Sequence, residues 1–123
     1  MPLQAISSSQ HVAIDAPQET TSSATPVKLK EFSIDVAGMY RAKWTHSAAS
    51  ATGAFSQIYR NGAAWGGTHG PMAVAWGQQV EDIAMLEPGD LLQLYAWQTS
   101  GLSDAHVAAF SISASYQDLP PAI

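Results

Sequence analysis

The stretch from Ala54 to Gly66, AFSQIYRNGAAWG, constrains the fold more than any other part of the chain. Strand-like residues lie on both sides of Asn61-Gly62. A type I′ turn needs a positive φ angle at both central positions, which asparagine and glycine tolerate best. The stretch therefore predicts a β-hairpin. Because an isolated hairpin is only marginally stable in water, the rest of the chain must supply strands that cover it.

Most of the remaining chain is a series of short strand-like runs separated by glycine, proline and asparagine. Besides the two hairpin strands, the predicted strands are Val27–Val36, Met39–His46, Met72–Trp76, Gln79–Met85, Leu91–Gln98 and His106–Tyr116. No segment keeps a helical period over more than two turns. About eight short strands with turn signals between them indicate an all-β sandwich or barrel.

Two of these runs carry a further prediction about their faces. In Val27–Val36 the alternation of apolar and polar residues slips at Lys30-Glu31, which predicts a bulge or bend there. In His106–Tyr116 the alternation is unbroken. We therefore expect a regular strand with Phe110 and Ile112 on the same face as His106.

The first 26 residues differ in composition from the rest. Met1 to Pro26 contains eight serines or threonines and no lysine or arginine. This composition predicts an extended N-terminal arm at 1–26, followed by a β-sandwich at 27–118 and a short tail at 119–123. The arm either folds back on its own domain or grips a neighbouring subunit. Its apolar residues, which would make that grip, are Leu3, Ile6, Val12 and Ile14.

Charge and composition exclude several classes of partner. The chain has five basic and ten acidic residues, a net charge of −5, which argues against binding to a nucleic-acid backbone. No apolar run is long enough to span a membrane, and no secretory signal is visible at the N-terminus. There is no cysteine. Because only 12% of residues are charged, we expect a partner to cover part of the surface.

Four motifs follow one another in an order that resembles a known group of proteins. They are IYRNG at Ile58–Gly62, VEDIAML at Val80–Leu86, PGDLLQLYAW at Pro88–Trp97 and AAFSISASY at Ala108–Tyr116. This order resembles the jelly-roll modules of tailed-bacteriophage virion proteins and, more loosely, the layout of C1q and tumour necrosis factor. The resemblance covers Val27 to Tyr116. It implies a jelly-roll β-sandwich of antiparallel strands.

The same resemblance implies a structural role. Small phage modules with an extended N-terminal segment resemble capsid decoration or cement proteins, which bridge neighbouring capsid subunits. The expected partners are then the major capsid protein and further copies of this chain, as a trimer before a dimer, on the outer capsid surface. The alternative is a receptor- or glycan-binding head of a tail fibre that uses Trp65, His69 and the loop at 99–104. Deleting residues 1–26 should leave the module folded but unable to decorate shells.

The tryptophans and histidines fit structural roles. Each tryptophan lies in a strand-like run, where packing in the core or at a subunit interface is expected, although Trp65 precedes a glycine loop and could face a ligand. The tryptophans are Trp44, Trp65, Trp76 and Trp97, and the histidines are His11, His46, His69 and His106. The histidines lack metal-ligand spacing, and His46 and His106 are expected to be satisfied polar residues at strand edges.

The sequence predicts no catalytic site and no cofactor. There is no GxSxG motif around any serine, and no glycine-rich phosphate loop. Calcium could bind only if loops brought together Glu81-Asp82, Asp90 and Asp104, because no calcium-loop motif is present. Asp90 follows Pro88-Gly89 and is expected to accept local backbone hydrogen bonds in a turn. We therefore expect a protein that is not an enzyme.

Overall fold

The computed structural model describes residues 11–50, 53–99, 101 and 104–114. Within these residues all regular secondary structure is β-strand, as the sequence predicts. The strands are β1 (His11–Asp15), β2 (Glu19–Thr21), β3 (Val27–Ser33), β4 (Gly38–Ala48), β5 (Ala54–Arg60), β6 (Ala63–Ala64), β7 (Gly77–Leu86), β8 (Leu91–Gln98) and β9 (Ala105–Ala114).

The strands form two antiparallel sheets that pack face to face as a β-sandwich. Sheet A has the order β1-β9-β4-β7, with β2 pairing with β9 beside β1, and sheet B has the order β3-β8-β5-β6. From β2 onward every connection crosses from one sheet to the other except the β5–β6 turn. This alternation wraps the chain around the sandwich as in a jelly roll. The predicted all-β sandwich is confirmed.

The predicted hairpin is present as β5 and β6. Asn61 and Gly62 have φ angles of 52° and 82°, the positive values that the turn requires. Tyr59 is paired with Ala64 on the facing strand. β6 is only two residues long and is the edge strand of sheet B, while β5 lies between β6 and β8.

The core lies between the sheets and is built from alternating residues. In β4 the alternate residues Tyr40, Ala42, Trp44 and His46 are all buried. The largest fully buried side chains from the other elements include Phe110, Ile58, Met72, Ile83, Leu92 and Leu94. Most residues on the opposite faces of the strands are partly or fully exposed, but Ser47 of β4 and Gln93 of β8 are buried there.

The N-terminal residues that the structure describes fold back on their own domain. Both β1 and β2 pair with β9 of the same chain. The bulge in β3 falls between Lys28 and Lys30, close to the predicted slip, and directs Lys30 inward. Its fully buried ammonium group lies 3.1 Å from Asp15 of β1. Residues 11–21 are therefore an integral part of sheet A.

Two predicted strands are corrected. Residues 72–76 are not a strand, because this segment crosses from sheet B to sheet A and cannot pair along one sheet. The predicted unbroken alternation of β9 is wrong. Ala109 has a positive φ of 54°, so the buried face changes from Val107 to Phe110 within the strand. The extra residue is a β-bulge, which shifts the pairing with β4 near Trp44.

Candidate functional site

The segment from residue 65 to residue 76, here called the bridging segment, closes one open side of the sandwich. It leaves sheet B after β6 and enters sheet A at β7. The backbones of His69 and Ser56 exchange two hydrogen bonds of 2.8 and 2.9 Å, and the Met72 amide donates to the Ala54 carbonyl. These bonds fix the segment against β5, and the buried Met72 side chain anchors it in the core.

A buried polar cluster lies beneath the bridging segment. The indole N–H of Trp44 donates to the Ser56 hydroxyl at 2.9 Å, and that hydroxyl lies 2.8 Å from Nδ1 of His46. Burial and, as the smaller cause, the nearby His69 together lower the pKa of His46 from 6.5 to about 4. His46 is therefore neutral at pH 7, and its Nδ1 forms a hydrogen bond with the Ser56 hydroxyl.

This cluster has a structural role. Ser56 has no solvent exposure, so its pairing with a histidine does not create an accessible nucleophile. The expectation that His46 is a satisfied polar residue agrees with its bond to Ser56. However, His46 is buried between the sheets and does not lie at a solvent-exposed strand edge.

His69 connects the bridging segment to β7. Its two ring nitrogens lie 2.9 Å from Oε1 of Gln79 and 2.8 Å from Oε1 of Glu81. The ring also packs edge-on against Trp44, with 4.8 Å between the centroids. Both nitrogens are thus engaged within the chain, and His69 holds the two sheets together at this side.

Exposed aromatic side chains lie at both ends of the bridging segment. Trp65 is 37% exposed and Trp76 is 47% exposed. The backbone amide of Trp65 donates to the Ile58 carbonyl, which fixes the start of the segment. Of the predicted ligand loop, Trp65 is therefore accessible, while His69 is engaged by β7.

The predicted arm contacts can be placed only in part. Leu3 and Ile6 lie outside the described residues, and for Val12 only the backbone position in β1 is described. Ile14 is paired with Ser111 and is 56% exposed on the outer face of sheet A. Of the four predicted contacts, Ile14 is thus accessible to a partner.

Four aromatic side chains form a surface on the outer face of sheet B, here called the aromatic face: Phe55, Tyr59, Tyr95 and Trp97. Tyr59 and Tyr95 are stacked, with 3.7 Å between the centroids and 9° between the planes. Phe55 stacks on Trp97 at 5.8 Å. All four are partly exposed, so the surface is ordered but open to a partner.

The charges beside the aromatic face are paired. Lys28 and Glu31 of β3 form a 3.0 Å ion pair, and the Gln93 amide also donates to Glu31. The hydrogen bond from Gln93, followed by the bond from Lys28, lowers the pKa of Glu31. The surface therefore carries little net charge on a chain whose net charge is −5.

The aromatic face could not be predicted from the sequence. The β5 pattern shows that Phe55 and Tyr59 share a face, but Leu91–Gln98 reads as buried on both sides. Pairing in the structure places Trp97 opposite Phe55 and Gln93 opposite Tyr59. The sequence does place two aromatic residues on the same face of each strand. This pattern predicts a joint surface only once β5 and β8 are known to be neighbours.

The remaining carboxylates are engaged individually. Asp82 forms a 2.6 Å bond with Arg41, which lowers the pKa of Asp82. Asp90 accepts the Glu87 amide in its turn, as predicted, and also binds Asn61 and Arg60. Across the part of the chain that the structure describes, no three His, Asp or Glu residues are grouped to hold a metal ion.

Comparisons with known proteins do not assign the chain to a family. No protein-family model matches it, and no curated protein or solved structure is significantly similar to it. No helix among the described residues is long and apolar enough to cross a membrane. Any functional proposal therefore depends on the surfaces described above.

Proposed function

We propose that this chain is a structural virion protein that decorates the outer surface of a capsid as a symmetric oligomer. It bridges neighbouring subunits of the major capsid protein and has no catalytic role. The order of its strand motifs, which resembles that of tailed-phage jelly-roll modules, supports this assignment. Several weak contacts made by one oligomer add to a high avidity, so no single contact needs to be strong.

The main structural observation in support of the proposal is the aromatic face. Tyrosine and tryptophan are enriched at protein interfaces, where they bury large areas at a small entropic cost. The face also lacks the excess negative charge that would make copies of this acidic chain repel one another. We assign it to contacts between copies of the chain, with a trimer expected before a dimer.

The N-terminal residues supply the contact with the shell. Ile14 is exposed on sheet A, on the opposite side of the molecule from the aromatic face. Leu3 and Ile6, which lie outside the described residues, are assigned to the same contact with a neighbour. An extended segment can bind by adding a strand to the exposed edge of another sheet.

The oligomeric contact is tested by placing a charge on the aromatic face. We expect the wild-type chain to show three times the chain mass in light scattering after size-exclusion chromatography. Tyr95→Glu should give a monomer, because a carboxylate would be buried without a partner at the contact. The matched control is Val80→Glu, an equally drastic change on the exposed outer face of sheet A.

Circular dichroism spectra of both variants should match that of the wild-type protein, which shows that each is folded. A monomeric wild-type chain at micromolar concentration would contradict the proposed contact. So would a Tyr95→Glu variant that keeps the wild-type mass.

A further inference from the structure

Trp76 occupies a second exposed position that neither the capsid contact nor the subunit contact uses. It directly precedes β7, in which Gly77 is paired with His46, so Trp76 lies beside Ser47 of β4. Ser47 is paired with His106 of β9, which is paired in turn with Thr20 of β2. The four residues form a row across sheet A on its outer face.

The indole ring of Trp76 lies across this row. Its centroid is 6.3 Å from that of His106, although β7 and β9 are separated by β4 and so lie roughly 10 Å apart. The Trp76 and His106 side chains must therefore lean toward one another over β4. Ser47 lies between Trp76 and His106 in the strand register and is only 3% exposed, while Trp76 itself remains 47% exposed. The indole is thus partly covered and partly open to solvent.

Polar side chains border the open ring. Thr20 Oγ1 lies 2.9 Å from Nδ1 of His106. The amide nitrogen of Gln18 lies 3.3 Å from Thr20 Oγ1 and 3.4 Å from the same ring nitrogen. The three groups hold each other in place, are solvent-accessible and retain unused donors and acceptors. They include no carboxylate, ammonium or guanidinium group.

The aromatic face has a different geometry. There, Tyr59 and Tyr95 stack on one another at 3.7 Å, so each ring already covers one face of its neighbour. No such partner covers the solvent side of Trp76 in the described part of the chain. An open aromatic ring beside uncharged hydrogen-bonding groups suits a ligand that has one apolar face and a rim of hydroxyl groups.

We propose that Trp76, with His106, Thr20 and Gln18, forms a binding site for a neutral pyranose sugar of a glycan. The C–H face of the sugar stacks on the indole, and its hydroxyl groups bond to the amide, hydroxyl and imidazole groups. The absence of a charged partner selects against sialylated or sulfated sugars. The site does not depend on the proposed capsid role and lies on the opposite sheet from the aromatic face.

The test follows the four indole N–H signals of the chain by ¹⁵N NMR. Neutral trisaccharides of N-acetylglucosamine, glucose and galactose are titrated separately to millimolar concentration, with sialyllactose as the charged comparison. We expect at least one neutral sugar to shift the signal of Trp76, which is assigned by its loss in Trp76→Ala. The signal of Trp65 should not move.

Three variants then examine the contacts in the same titration. Trp76→Ala should weaken binding about tenfold or more, as expected for a lost stacking platform, whereas Trp76→Phe should keep part of it. Gln18→Ala should weaken binding a fewfold. Trp65→Ala, which removes a similarly exposed indole, should bind like the wild-type protein, and all variants should keep well-dispersed spectra.

Any of three results would contradict the proposed sugar site. The first is that no neutral trisaccharide shifts the Trp76 signal. The others are an unchanged sugar affinity in Trp76→Ala and tighter binding of sialyllactose than of the neutral sugars. None of these results would change the expected oligomer. A monomeric chain would likewise not contradict the sugar site, so the proposed oligomer and the proposed sugar site can be tested separately.

Discussion

At the scale of single residues, the buried His46 makes the stability of the sandwich depend on pH. Burial and the nearby His69 lower its pKa from 6.5 to about 4 in the folded state. The unfolded chain therefore binds a proton at this residue at a higher pH than the folded chain does. The contribution of neutral His46 to the free energy of unfolding is fully present above about pH 6.5 and is lost as the pH falls toward 4.

We expect this residue to remove about 3 kcal/mol from the free energy of unfolding between pH 7 and pH 4, because each unit of pKa difference corresponds to about 1.4 kcal/mol. Urea unfolding at a series of pH values measures this change. His46→Gln has an amide that can still hydrogen-bond with the Ser56 hydroxyl but does not titrate. Its stability should fall less steeply over the same range, and parallel curves for the two proteins would show that His46 is not the cause.

At the scale of elements, the β5–β6 turn is where the sequence predicts structure best. Gly62 has a φ of 82°, and a Cβ atom added there would meet no atom within 4 Å. The cost of Gly62→Ala is therefore backbone strain alone, about 1 kcal/mol of unfolding free energy. Gly67→Ala is the matched control, because it also meets nothing within 4 Å but has no positive φ.

Denaturant unfolding of the two glycine variants makes this comparison directly. The control should be unchanged or slightly more stable, since alanine reduces the entropy of the unfolded chain. Equal stability of both variants would mean that the turn does not require its positive φ angle.

The N-terminal strands change what a truncation should do. The sequence predicts that removing residues 1–26 leaves the module folded. In the structure, however, this deletion removes β1 and β2 and leaves the fully buried Lys30 without Asp15 and the Pro17 carbonyl. An unpaired buried charge is strongly destabilising. We therefore expect residues 1–26 to be needed for stability and residues 1–10 to be needed only for binding to the shell.

Two truncations separate these roles. The chain without residues 1–10 should have the wild-type midpoint denaturant concentration. When mixed with capsids that lack this protein and centrifuged, however, it should not sediment with them. The chain without residues 1–26 should unfold at a lower denaturant concentration. Full decoration by the shorter deletion would remove Leu3 and Ile6 from the shell contact.

Local signals predicted most of the strands and the bulge in β3, but not the bulge in β9 or the crossing segment. The turn at Asn61-Gly62 and the alternation in β4 depend only on residues close in sequence, so the sequence shows both. The bulge at Ala109 and the crossing at 72–76 arise from packing between sheets. The candidate surfaces depend on the same long-range pairing. Trp76 meets His106 only because β4 lies between β7 and β9, and Tyr95 meets Tyr59 only because β8 lies beside β5.

At the scale of the whole molecule, the sandwich presents different chemistry on its two outer faces. Sheet B carries the stacked aromatic side chains, while sheet A carries Ile14 at one edge and Trp76 near the other. A molecule with contacts on opposite faces can join its own copies on one side and hold another surface on the other. This arrangement is consistent with the proposed role of bridging capsid subunits.

The most direct test of this role is a cryo-electron microscopy map of the virion that contains the chain, compared with a virion that lacks its gene. We expect nine-stranded sandwiches in symmetric groups over the outside of the shell, with the aromatic faces turned toward one another and the N-termini on the capsid. Density for the chain only at the tip of a tail fibre, or none on the particle, would contradict the proposal.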